Sequence, residues 1–484
     1  MGRRRNPYPG LVLLALVPAF ALGGCWRLAA GKVPAPLPLP STAAPAVVEP
    51  VPAVLATPLL SVRRSPAVLA RDISGDAFAA AVNTFAATLD STSCVAVSVD
   101  GQPMGAAHAD AVLRPASNVK LLTASVALER LGADYRYTTE VRGSVTGGVV
   151  AGDLYLVGGG DPLLSSSWWN GPNPKYPPFN VTPVEQLVSA IAAAGITRID
   201  GSVIGDASRY DDEWYAPTWT NDVRFTEGGP VSALLVNDSR EAIDRSSADP
   251  VVGAAFVLTE ALRSAGISVG GRPGKGVAPT GAATLASITS QPLSAVLAEM
   301  LTTSDNNTAE MVLKELGHHD GGAGTREAGL AVVLSTLQSW GINTDGVSIV
   351  DGSGLSDDNR LTCNVLLAAL QHDHSNSAVG QGMALAGAKG GTLSDAFTGT
   401  PLEGVLRGKT GTLYNYNDGT GGKPAAKALS GFIPLPGGGA IEFSMLLNGP
   451  QVSEKTVYRP IWDAFARAMV TYPSGPSAAD LGVR

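Results

Sequence analysis

Apolar residues recur at helical spacing in several stretches of the chain. In DAFAAAVNTFAATL, Phe78, Val82, Phe85 and Leu89 fall on one stripe of a 3.6-residue period. The run from Pro115 through Leu128 is apolar on most sides and predicts a buried helix ending at Gly132. TPVEQLVSAIAAAG predicts an amphipathic helix that stops at Gly195. Leu293, Val296, Leu297, Met300 and Leu301 form another stripe, with Pro292 near the first turn. A last helix is expected from about Arg459 to Tyr472, packing Ile461, Trp462, Phe465 and Met469.

Period-two patterns mark the strands. SCVAVSVDG alternates and ends in a turn. Near the C-terminus, GVLRGKTGTL, KALSGFIPL and AIEFSMLLN read as three strands, the last two joined by PGGGA, which predicts an antiparallel sheet. Between Tyr135 and about Ala282 the texture changes to short strands and glycines. There AGDLYLVGGGDP and IDGSVIGDASRYDD echo one another as strand-then-turn units. This region is expected to be a β-rich insertion of one or two lobes.

Composition narrows the class. The 484 residues suffice for several domains; 45% are hydrophobic, 16% charged, and the net charge is -8. Beyond Arg3, Arg4 and Arg5 no basic stretch offers a nucleic acid surface. Those arginines precede the apolar run LVLLALVPAFALGG, the order of an export signal, and LGGC ending at Cys25 resembles a lipoprotein box. A membrane anchor through the N-terminus, as lipoprotein or uncleaved signal, or secretion is expected, with the folded body outside the cytoplasm in the cell envelope. Residues 26–60 are Pro- and Ala-rich, an extended tether. The expected layout is signal or anchor 1–25, linker 26–60, catalytic domain 61–134 and 283–473, insertion 135–282, and a tail 474–484. Cys94 and Cys363 remain, either a disulfide, which export would permit, or two buried thiols.

The chemistry starts at PASNVKLL, where Ser117 and Lys120 share one helix face. A capping serine and a lysine with its stem on apolar surface would explain this pair alone. Two more triplets change the reading: Ser304-Asp305-Asn306 after a helix, and Lys409-Thr410-Gly411 in a strand. Ser-x-x-Lys, Ser-Asp-Asn and Lys-Thr-Gly in that order resemble the signature of β-lactamases and penicillin-binding proteins. A serine hydroxyl needs a neighbouring base, and Lys120 can be one if burial and a nearby cation, Lys409, favour its neutral form. Ser304 can relay a proton, Asn306 can hydrogen-bond the substrate amide, and Lys409 can supply fixed positive charge. Thr410 can hold a terminal carboxylate, the Thr412 N–H can be an oxyanion donor, and Asp305 and Gly411 are placed on the substrate side.

RPASNVKLLTASVALERLG, GDLYLVGGGDP, VSALLVND, SDNNTAEMVLKELG, DGSGLS and LRGKTGTL together resemble the class C, type-four penicillin-binding proteins, from about Leu60 to Tyr472. The resemblance implies an α+β multidomain fold: a serine β-lactamase/transpeptidase-like domain, an antiparallel sheet flanked by helices, with a large insertion beside the cleft. It implies D-Ala-D-Ala carboxypeptidase or endopeptidase action on peptidoglycan peptides, acylation by β-lactam antibiotics, and no cofactor. His318, His319, His372 and His374 sit in polar helix ends and read as surface residues rather than zinc ligands. The competing functions are a β-lactamase or esterase with the same motifs, and a non-catalytic wall-binding protein.

Overall fold

The computed structural model describes residues 65–171, 173–414, 425–436, 438–473 and 480–481. The expected signal with Cys25, the 26–60 linker and most of the 474–484 tail lie outside the described residues. In chain order the principal elements begin with α1 (Ser65–Ala86), β1 (Ser93–Val99), β2 (Gln102–Ala107), and a 3₁₀ turn Ala116–Asn118 that opens α2 (Val119–Leu131). Next come β3 (Thr138–Gly143), β4 (Leu154–Val157), α3 (Val184–Ala193), β5 (Val203–Asp206), α4 (Pro250–Ser264), β6 (Gly274–Lys275) and β7 (Ala283–Thr289). Four helices follow: α5 (Leu293–Thr303), α6 (Asn306–Asp320), α7 (Arg326–Ser339) and α8 (Cys363–Asp373). The chain closes with β8 (Ala384–Leu385), β9 (Arg407–Leu413), β10 (Ala425–Pro434), β11 (Ala440–Gly449) and α9 (Lys455–Met469).

The six-stranded sheet has the order β8-β9-β10-β11-β1-β2, so both ends of the chain build it. β1 pairs antiparallel with β11, Val95 opposite Met445. One core layer lies between this sheet and the helix group of Leu121, Leu122, Leu297, Met300, Leu313 and Leu366. The other face packs on α1 and α9 through Phe78, Val82, Phe85, Trp462 and Phe465. With both faces covered, all seven residues of β1 are buried. Its alternation therefore separates two cores rather than core from solvent.

The middle of the chain departs from the β-rich expectation. β4 and β5, the two echoing motifs, pair in parallel, Leu154 opposite Val203, and β5 pairs in parallel with β6. Parallel pairing needs crossover connections, which here contain the helices α3 and α4. The five-stranded sheet runs β6-β5-β4-β3-β7. Strand β7 belongs to it, so this layer reaches Thr289, past the boundary expected at 282. The last helix begins at Lys455 rather than near Arg459 and contains Pro460. Pro460 costs one backbone hydrogen bond close to the helix start, while buried Trp462, Phe465 and Met469 hold the helix on the sheet. Of the two alternatives for the cysteines, the structure has the bridge: Cys94 of β1 joins Cys363 of α8, with Cα atoms 6.1 Å apart.

Candidate active site

Ser117 lies in the 3₁₀ turn that opens α2. Its hydroxyl caps no helix; it accepts a hydrogen bond from Lys120 Nζ at 3.1 Å. The residue before it, Ala116, has φ 48, a left-handed conformation that costs a non-glycine residue free energy. Two glycines let neighbours close on this turn. A Cβ at Gly411 would lie 3.0 Å from Ser117 N, Pro115 O and Ala116 Cβ. One at Gly354, whose φ is +83, would lie 2.0 Å from Ala116 O. Strand β9 and the DGSG loop therefore both press against the serine turn.

Lys120 is fully buried one helical turn on. Its ammonium also donates to Asn306 Oδ1 at 2.6 Å and to the Ser353 carbonyl at 2.6 Å. Burial pushes its pKa down to about 8, against the upward pull of Asp305, Asp351, Glu310 and Glu227. Lys409 is the neighbouring cation that the sequence suggested, and the repulsion between the two lysines is mutual. Burial is the principal influence on Lys120, and lysine–lysine repulsion weighs on Lys409, which burial, Lys120 and Lys427 drive well below the usual lysine range.

The Ser-Asp-Asn triplet spans the junction of α5 and α6. Ser304 closes α5 in the left-handed region, with φ 69, and its hydroxyl accepts from Lys409 Nζ at 2.8 Å. Asp305, expected on the substrate side, has its carboxylate capping α6, accepting from Thr308 N at 2.6 Å. Asn306 links the helix group to the middle of the chain: its Oδ1 faces Lys120 and its Nδ2 donates to the Glu227 carbonyl at 2.8 Å. Strand alternation sends Lys409 and Gly411 to the serine side and Thr410 and Thr412 to the opposite face. Lys409 also donates to its neighbour's carbonyl, Thr410 O, at 2.7 Å.

The structure brings all three motifs to one place. It also adds residues that sequence reasoning missed. Ser353 N donates to Glu310 Oε1 at 2.8 Å, and Glu310 pairs with Arg326 at 2.9 Å. The Asp351 carboxylate accepts from Gly354 N, Ser356 N, Asn359 Nδ2 and Trp219 Nε1 at 2.7 to 2.8 Å, fixing the loop that carries Ser353. The quoted DGSGLS stretch was the available signal for this loop; nothing in the sequence marked Glu227.

A helix-flanked antiparallel sheet with these three motifs gathered beside it is the arrangement of a serine peptidase. The chain matches the D-Ala-D-Ala carboxypeptidase 3 (S13) family over residues 87–244 and 239–469, and it belongs to that family. It is 30% identical to the D-alanyl-D-alanine carboxypeptidase of Actinomadura sp. strain R39, the similarity covering 70% of this chain and 73% of that protein. It is also 30% identical to carboxypeptidase DacB of Mycolicibacterium smegmatis, over 71% and 73% of the two chains. Penicillin binding protein 4 of Haemophilus influenzae shares the fold, with TM-score 0.66 and 19% identity over 80% of this chain and 99% of that one.

Proposed function

We propose that this protein is a serine-type D-Ala-D-Ala carboxypeptidase/endopeptidase that cleaves peptidoglycan stem peptides through an acyl-enzyme on Ser117 and is acylated there by β-lactams. The observation that carries this reading is the 3.1 Å contact between Ser117 Oγ and the buried Lys120 Nζ. In its neutral form Lys120 takes the hydroxyl proton as Oγ bonds to the penultimate D-alanyl carbonyl carbon. The Ser117 and Thr412 N–H groups hold the resulting oxyanion. Collapse breaks the C–N bond, and a proton passes through Ser304 to the leaving amine. Water then hydrolyses the ester. The substrate's terminal carboxylate, beside Thr410 and Gly411, counters the burial that lowers Lys409 and favours its charged form there, and Asn306 orients the scissile amide. Asp305 supports the site by holding the start of α6.

Incubation with a penicillin followed by peptide mass spectrometry tests this. One stable adduct on the Ser117 peptide is expected; rapid release of the acyl group would instead mark a β-lactamase, and no adduct would defeat the reading. The same reading places the enzyme outside the cytoplasm, tethered through Cys25. Membrane fractionation of Cys25→Ser checks the tether, since equal membrane retention and processing would remove the lipid anchor.

A further inference from the structure

Lys427 has no part in the three motifs, yet it stands beside the third. It faces Thr412 across the β9–β10 ladder and donates from Nζ to Thr412 Oγ1 at 2.7 Å. Its neighbour Leu429 packs in the α1/α9 core and Ala428 in the opposite one, so Lys427 projects from the sheet face away from Ser117. There its ammonium sits 4.4 Å from the Tyr458 ring centroid and 5.3 Å from that of Trp462. The side chain is only 9% exposed. Among the described residues no carboxylate lies within ion-pair distance of it. The nearby Asp395 is bound to Lys455 at 2.5 Å and Arg459 at 2.8 Å.

A buried cation without a counter-ion is costly, and aromatic faces offset only part of the cost. The arrangement makes sense if an anion arrives. Lys409 approaches the Thr410–Thr412 edge from the serine face and Lys427 from the opposite face, so an anion at that edge has a cation on either side. The Lys427 bond also fixes the role of Thr412. An ammonium has only hydrogens to give, so Thr412 Oγ1 must accept from it. The hydroxyl hydrogen is thereby left for another acceptor, and Thr412 is half-exposed at the sheet edge.

We propose that Lys427 is a specificity-determining positioning residue: it commits the Thr412 hydroxyl to donating toward the free carboxylate of the substrate's leaving group. This rests on the acyl-enzyme reading above. Selectivity for a free acid over a neutral C-terminus then arises from a residue that does not touch the substrate, acting through one hydroxyl.

The test compares a peptide ending in D-Ala-D-Ala with the same peptide as its C-terminal amide, following release of D-alanine or D-alaninamide. Lys427→Met keeps an apolar stem on Tyr458 and Trp462 while removing the charge; Lys427→Gln keeps a donor without charge; Lys427→Arg keeps the charge. For Lys427→Met and Lys427→Gln, kcat/KM on the free acid should fall about ten- to hundredfold, the size of one charge-assisted hydrogen bond, mainly through KM. The amide should be turned over at the wild-type rate, and Lys427→Arg should restore most of the preference. Equal losses on acid and amide, or no loss on either, in a variant that melts like the wild type would overturn the inference. A wild-type enzyme that forms no acyl-enzyme would overturn the underlying reading and this inference with it.

Discussion

In the proposed reaction Ser117 and Lys120 do different work from neighbouring positions on one turn. Because the Ser117 hydroxyl caps nothing, Ser117→Ala should change stability by less than the roughly 1 kcal/mol typical of a lost cap, while penicillin labelling disappears. Calorimetry together with gel labelling would check both halves. With Lys120 as the proposed base, it also sets the expected pH response. Its pKa of about 8 makes the base form scarce at neutral pH. Acylation should climb about tenfold per pH unit below 8 and flatten above it. Stability follows with a defined sign. The unfolded chain holds the Lys120 proton up to its ordinary range while the folded chain releases it near 8. Unfolded molecules thus bind more protons between about pH 8 and 10.5, and stability rises with pH across that window. Lys120→Met should show a shallower rise in denaturant midpoint over the same range; an unchanged slope would mean that Lys120 titrates alike in both states.

At the level of elements, the site depends on how closely strand β9 approaches the serine turn. Gly411→Ala would set a methyl 3.0 Å from Ser117 N and Pro115 O, both backbone atoms. Strand and turn should separate by a few tenths of an ångström, which is enough to misplace the oxyanion donors. Acylation should drop by about a hundredfold, whereas the thermal midpoint moves little, measured by stopped-flow labelling and melting of the same sample. The helices that carry the site were legible because each buries one continuous stripe: Leu293, Val296, Leu297, Met300 and Leu301 are all fully buried, as their spacing predicts. The three motifs were legible because each pairs unusual chemistry with a helix start, a helix junction or a strand. Other features were hidden for physical reasons. Crossover pairing of β4 with β5 joins segments that look like independent strand–turn units, and periodicity carries no strand direction. Ser353 and Glu227 act through backbone carbonyls, which every residue possesses, so no side-chain pattern reveals them.

Across the whole molecule, the middle region and the catalytic layers are joined at the site. Asn306 reaches the Glu227 carbonyl, and Gly229 N donates to Asn307 Oδ1 at 2.8 Å. The Cys94–Cys363 bridge fastens the central sheet to α8 over a sequence separation of 269. Replacing both cysteines by alanine should cost about 2–5 kcal/mol in denaturant unfolding and leave acylation near its normal rate, since both cysteines are packed in the hydrophobic core layer between sheet and helices. Thiol titration of the denatured, unreduced enzyme body should find neither cysteine free.

The pairing of β1 with β11 also governs timing. A ribosome delivers Val95 long before Met445, its partner in the sheet. A nascent chain that has only reached Asp373 already carries Ser117, Lys120 and Ser304, but it lacks the strand that presents Lys409 and β11, the one C-terminal neighbour of β1. Loop closure over such separations is slow. On the proposed reading, reactivity toward a stem peptide is thus a property of the finished chain, and a chain cut short before Ala440 should hold Ser117 and Lys409 in a sheet that cannot close through β11.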